Sequence, residues 1–187
     1  MNNLPSFLPD WIESAVDYNQ PYSSDYQKMA LAISLARQNV EHGTGGPFGA
    51  VVFNVLDNTM VGVGVNRVVP LNNSVLHAEV VAIMHAESVI GSFTLKKNLT
   101  ASYELFTSCA PCAMCIGAIF WSGVERLVCA AHRDDASVIG FDEGPVFDQS
   151  YKYLRDRGMV IVHEFMRSEA VDVFGYYQTQ NGTIYNG

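Results

Sequence analysis

A chain of 187 residues suits one compact domain, and with 49% hydrophobic and 16% charged residues it can bury a sizeable core, which argues against global disorder. No apolar run approaches the roughly 20 residues that span a bilayer, and Met1–Asp10 lacks the basic start and apolar stretch of a secretory signal, so a cytoplasmic setting is expected. Eleven Lys and Arg against nineteen Asp and Glu give a net charge of -8 with no basic block, which disfavours nucleic acid as a partner and favours a small neutral substrate.

Met1–Ser24 is a polar and aromatic preface with three prolines, expected to wrap the surface as an extension (1–24) of the main domain (25–187). Asp25–Glu41 places Met29, Ile33, Ala36 and Val40 at helical spacing, and Gly43–Gly46 end the pattern. Phe48–Val55 and Met60–Val69 read as strands of a hairpin turning at Asp57–Asn58. His77–Ile90 reads as a second helix, Tyr103–Thr107 as a short strand, and Pro111 to about Trp121 as a third helix with Pro111 at its first position. Arg126–Ala131 and Met159–Phe165 complete the strands, and a C-terminal helix at Ser168–Thr179 leads into a short tail, together about 168–187. Five strands interleaved with helices predict an α/β fold, a three-layer α/β/α sandwich around a five-stranded mixed sheet.

Two segments carry the chemistry: His77-Ala78-Glu79 and Pro111-Cys112-Ala113-Met114-Cys115. Cysteines three apart on the first turn of a helix share a face, where the free amides and the helix dipole favour thiolates. A third ligand from His77 leaves one tetrahedral position of a zinc ion open, as catalysis requires. Such a zinc lowers the pKa of a water from about 16 to near 7. His77 and Glu79, two apart, converge only at an irregular helix start. A lone Cys-x-x-Cys more often builds a structural or redox site. Here no second pair completes a four-cysteine site, and a carboxylate stands beside the histidine. His-x-Glu with Pro-Cys-x-x-Cys is the signature of zinc deaminases that attack C4 of cytosine or C6 of adenine.

The chain resembles the cytidine deaminase superfamily, and within it the bacterial guanine deaminases, from about Asp25 to Glu143. Gly45-Gly46-Pro47-Phe48-Gly49-Ala50, Asn66 placed eleven residues before His77, the two zinc segments and Gly140-Phe141-Asp142-Glu143 carry the resemblance. It implies a five-stranded sheet with helices on both faces, one zinc per chain and a homodimer, with C-terminal segments that close the pocket and are sometimes exchanged between subunits. It also implies site roles: zinc on His77, Cys112 and Cys115, Glu79 as proton shuttle, Asn66 on the purine edge, the Ala78 amide on the ring, Phe48 against the base, and Glu143 as a second acid meeting the ring. Tyr185 is the candidate for the closing residue of the tail. Read without the resemblance, Asn66 suits a strand end, Phe48 an ordinary core and Glu143 a solvated turn. Cys109 and Cys129 read as small buried hydrophobes.

Guanine to xanthine and ammonia is the expected reaction, with amino-triazines as secondary substrates. The amine-bearing carbon of both lies between two ring nitrogens, a geometry that two carboxylates can serve. A tRNA adenosine deaminase shares the zinc segments but would need a cationic surface. A cytosine deaminase leaves Glu143 without a role, and a zinc-stabilised binding module leaves Glu79 without one.

Overall fold

Ser24 starts the first long helix by a reciprocal cap, its hydroxyl accepting from the Gln27 amide while the Gln27 side chain accepts from the Ser24 amide. Such a cap is worth about 1 kcal/mol. The computed structural model describes residues 7–96 and 101–186. In it a single-turn helix α1 (Ile12–Ala15) precedes this helix, α2 (Asp25–Glu41), which has the bounds read from its apolar spacing. α2 buries Met29, Ala32, Ile33 and Ala36, and Gly43, with φ +63, turns the chain out of the helix.

Strands β1 (Gly49–Asn54) and β2 (Met60–Val65) form the expected hairpin. Asn58 adopts the left-handed conformation its turn needs, and the Asp57 carboxylate accepts from the Thr59 amide and hydroxyl. β3 (Tyr103–Cys109) pairs antiparallel with β1 and parallel with β4 (Arg126–Ala131), which pairs parallel with β5 (Val160–Val162). The order β2-β1-β3-β4-β5 is therefore a five-stranded mixed sheet.

Helices α4 (Ala78–Ile90) and α5 (Ala113–Ser122) cover one face, where Ala82, Leu105, Ile119 and Leu127 are buried. α2 and α8 (Arg167–Thr179) cover the other, around Met29, Phe106 and Phe174. The architecture is the three-layer sandwich of the sequence reading. Leu8, Ile12 and Tyr22 of the preface are buried in the second of these cores. Two glycines of β2 set how close α4 lies. A Cβ at Gly62 would stand 2.6 Å from the Ala82 carbonyl oxygen, and one at Gly64 2.2 Å from that of Ala78. The first turn of α4 is thereby pressed onto the sheet beside the site.

Several local expectations are corrected. The second strand ends at Val65, not Val69, because the Asn66 side chain accepts from the Val68 amide and bends the chain into a one-turn helix, α3 (Val68–Leu71). Pro111 is not the first helical residue: Cys112 is the N-cap and Ala113 opens α5. The last strand covers only Val160–Val162, whereas β3 reaches Cys109. Two short helices, α6 (Arg133–Val138) and α7 (Asp148–Asp156), lie in segments read as turns or left unassigned.

Candidate metal centre and base pocket

The two zinc segments meet because each begins a helix on the same face of the sheet. His77 is the N-cap of α4, with extended backbone at φ -71 and ψ 156, and Cys112 caps α5 in the same manner at φ -68 and ψ 173. At such a start, side chains two residues apart are not held to opposite helix faces, and His77 and Glu79 converge. The Nδ1 of His77 lies 3.5 Å from the Sγ of Cys112, and the ligand atoms of His77, Cys112 and Cys115 all lie within 4.8 Å of one another. Tetrahedral zinc, with bonds of about 2.3 Å to sulfur and about 2.0–2.1 Å to nitrogen, sets its ligand atoms roughly 3.5–4 Å apart. Two sulfurs and one imidazole nitrogen at this spacing fit the ion in donor type and in reach.

The electrostatics of the three side chains match that role. A hydrogen bond from Cys115 brings the Cys112 thiol down to about 4 against the opposing effect of burial, with His77 adding to the lowering. For His77 burial opposes protonation, but the contact with Cys112 and the charge of Glu79 leave it above its ordinary value. Glu79 is buried beside them, its Oε2 3.3 Å from the Sγ of Cys115. Burial, with the Cys112 charge second, pushes its carboxyl up. A carboxyl raised by desolvation beside the metal cluster is suited to general acid–base work.

A cavity opens over these residues. Phe48, Asn66, Ala78, Glu143 and Tyr185 line it together with His77, Glu79 and Cys112. All the candidate residues therefore gather at one place, Cys115 among them through the metal cluster. Asn66 is buried just after β2 and its Oδ1 accepts from the Val68 amide, so its Nδ2 hydrogens are the donors left toward the cavity, beside the Tyr185 hydroxyl. Ala78 is the first helical residue of α4, where backbone amides have no partner within the helix. Phe48 presents its edge to Phe141 and Phe174, with ring centres 5.0 Å and 5.6 Å apart.

Glu143 is held by its backbone: its carbonyl accepts from the Ala113 amide at 3.0 Å. Burial first, then the charges of Cys112 and Glu79, push its carboxyl up to about 8. The tail lies over the pocket of its own chain. Asn186 accepts from the Asp142 amide and donates to the Gly140 carbonyl, and this pins the tail to the loop before Glu143. Tyr185 stands edge-on to Phe141, and its buried hydroxyl lies beside the Asn66 side chain.

Four wall residues, Cys109, Ala110, Phe141 and Asp142, carry no site role in the sequence reading. Phe141 was noted only as part of a motif, yet its ring touches Phe48, Tyr177 and Tyr185. Cys109, the last residue of β3, lines the cavity although it reads as plain core.

A mixed sheet, two helices that begin at a shared metal cluster and a buried carboxylate beside it define a zinc-dependent deaminase. The chain belongs to the family described as the cytidine and deoxycytidylate deaminase zinc-binding region, matched over residues 22–131, and within it to the guanine deaminase type. A guanine deaminase from Bacillus subtilis is 39% identical over 126 residues, covering 67% of this chain and 76% of that protein. The solved structure of a guanine deaminase from Nitrosomonas europaea superposes with a TM-score of 0.88 at 34% identity, over 96% of this chain and 98% of that one. A further solved structure, in complex with 2,6-diaminopurine, gives a TM-score of 0.88 at 37% identity over 96% of this chain and 94% of that one.

Proposed function

We propose that this enzyme hydrolyses guanine to xanthine and ammonia, with His77, Cys112 and Cys115 holding one zinc ion. The observation that carries the substrate is a pair of carboxyls, buried Glu79 and half-buried Glu143, that line one cavity together with an amide donor, Asn66. Zinc, when bound, would make water acidic enough to attack near neutral pH and would offset the thiolate charge of Cys112.

Glu79 takes a proton from the attacking water and delivers it to N3 of the base as the oxygen adds to C2. Glu143, as the carboxylate that an offset Cys112 charge would favour, accepts hydrogen bonds from N1–H and the exocyclic amine. When the C2–N bond breaks, Glu79 passes the proton of the new C2 hydroxyl to the amine, which leaves as ammonia, and xanthine remains. Asn66 donates from Nδ2 to O6 or N7, the Ala78 amide meets the ring, and Phe48 packs on the base. Adenine and cytosine would set carbon–hydrogen edges against Glu143 and leave a desolvated group unpaired, which is costly. Amino-triazines keep the amine carbon between two ring nitrogens and should be turned over slowly. Glu143→Ala, tested for guanine turnover with zinc content checked, should be severely impaired with zinc in place, and full activity would discard the two-carboxyl mechanism.

Tyr185 serves to close the pocket over the base, and the closed space leaves guanosine a poor substrate. Residues 25–187 make up the deaminase domain and 1–24 its extension. An apolar outer face, with Met84 on α4, Met114 on α5 and Trp121 80% exposed, supports a homodimer built on these helices. Among the described residues no helix is long and apolar enough to cross a membrane. The acidic charge and a free base as substrate support a cytoplasmic role in purine catabolism without a nucleic-acid partner.

A further inference from the structure

Asn39, in the last turn of α2, is fully buried and uses its amide to tie together two segments that are twenty residues apart in the chain. Its Nδ2 donates to the carbonyl of Gly46 at 2.8 Å and to that of Asn66 at 2.9 Å. Its Oδ1 accepts from the Thr44 hydroxyl at 2.8 Å, and that hydroxyl in turn accepts from the indole Nε1 of Trp11 at 2.9 Å. Trp11 belongs to the segment before α2 and lies flat against His42, ring centres 5.0 Å apart. Arg67 closes the group by donating to the Thr44 carbonyl.

The approach is as tight as the backbone allows, since a Cβ at Gly45 would fall 1.8 Å from the Asn66 carbonyl oxygen and 2.7 Å from the Asn39 Nδ2. Both anchored carbonyls lead directly into the wall of the cavity. Phe48 accepts from the Asn66 amide through its carbonyl and donates through its own amide to the Gly46 carbonyl, so Asn39 holds one carbonyl that bonds Phe48 and the residue whose amide bonds Phe48. An apolar residue at this position would leave two buried carbonyls without that donor.

We propose that Asn39 is a positioning residue for the base pocket, holding Asn66 in place from behind, and that Thr44 and Trp11 orient Asn39. This rests on the assignment of Asn66 to the purine edge. A residue in such a role changes how well the base is seated more than how fast the seated base reacts, and its effect passes through Asn66.

The test is a double-mutant cycle on guanine kinetics with Asn39→Ala, Asn66→Ala and both together, run on zinc-loaded enzyme. Asn39→Ala should raise KM about tenfold, change kcat less than about threefold and retain full zinc. In the Asn66→Ala background it should raise KM no further. An equal rise in both backgrounds, or a drop in melting temperature with KM unchanged, would overturn the proposal. Thr44→Val, which removes only the hydroxyl that orients Asn39, repeats the cycle if Asn39→Ala does not fold. Its expected KM rise is about threefold, absent without the Asn66 side chain, and an unchanged KM or an equal rise in both backgrounds would count against the proposal. If the wild type turned over another base instead of guanine, that base would replace it in the cycle, so failure of the substrate reading and failure of the positioning role stay distinct.

Discussion

The amide of Ala113 donates to the carbonyl of Glu143 at 3.0 Å, so the loop bearing the second carboxyl is fastened to the first turn of the helix that carries Cys115. Metal centre and substrate acid are thus parts of one rigid corner. Changes at the metal ligands should act on zinc, and changes at the carboxyls should act on turnover.

His77→Ala, Cys112→Ala and Cys115→Ala should each lose most of their zinc, against about one ion per chain in the wild type. Elemental analysis of purified protein decides it. Full occupancy in any variant would remove that residue from the centre.

Glu79→Gln preserves shape and removes the titrating group. It should keep its zinc and lose turnover by at least the 10²–10⁴-fold typical of general acid–base catalysis. Single-turnover and steady-state rates on guanine provide the check, and a variant with a tenth of wild-type kcat would contradict the shuttle role.

Much of this corner was legible in the sequence because its signals are local. The spacing of Met29, Ile33, Ala36 and Val40 gave α2 its bounds, and the two zinc segments lie within helix starts of a few residues. What escaped depends on contacts distant in sequence. Val68 and Val69 favour a strand by composition, yet the Asn66 side chain bends the backbone there into a turn of helix. Asn39 reads as one polar residue on a helix, since its partners at Gly46 and Asn66 come together only once β1 and β2 have paired. Pro111 suits either the first helical position or the residue before the cap, and the placement of Cys112 at the N-cap selects the second.

The tail should matter for catalysis, because Tyr185 lines the cavity and Asn186 pins it to the Gly140–Glu143 loop. Truncation after Gly182 should raise KM and lower kcat as water enters the site. Kinetics identical to the full chain would mean the tail is idle.

His85 supplies a test of pH dependence away from the metal. It is buried on α4 with its Nδ1 3.1 Å from the Val63 amide, and burial lowers its pKa despite the nearby Val63 carbonyl. A depressed histidine is neutral in the fold, so the unfolded chain binds more protons below its ordinary value of about 6.5. Stability from this group is present above that pH and declines as pH falls through the window below it. Melting curves from pH 7.5 to 5.5 should fall less steeply for His85→Gln than for the wild type, and parallel curves would contradict the assignment.

The most direct test of the whole account is product analysis with zinc-loaded wild-type enzyme offered guanine, adenine, cytosine, guanosine and an amino-triazine separately. The two-carboxyl pocket predicts xanthine and stoichiometric ammonia from guanine as the dominant reaction, weak turnover of the amino-triazine, and little or none of the other three. Turnover of adenine or cytosine exceeding that of guanine would contradict it.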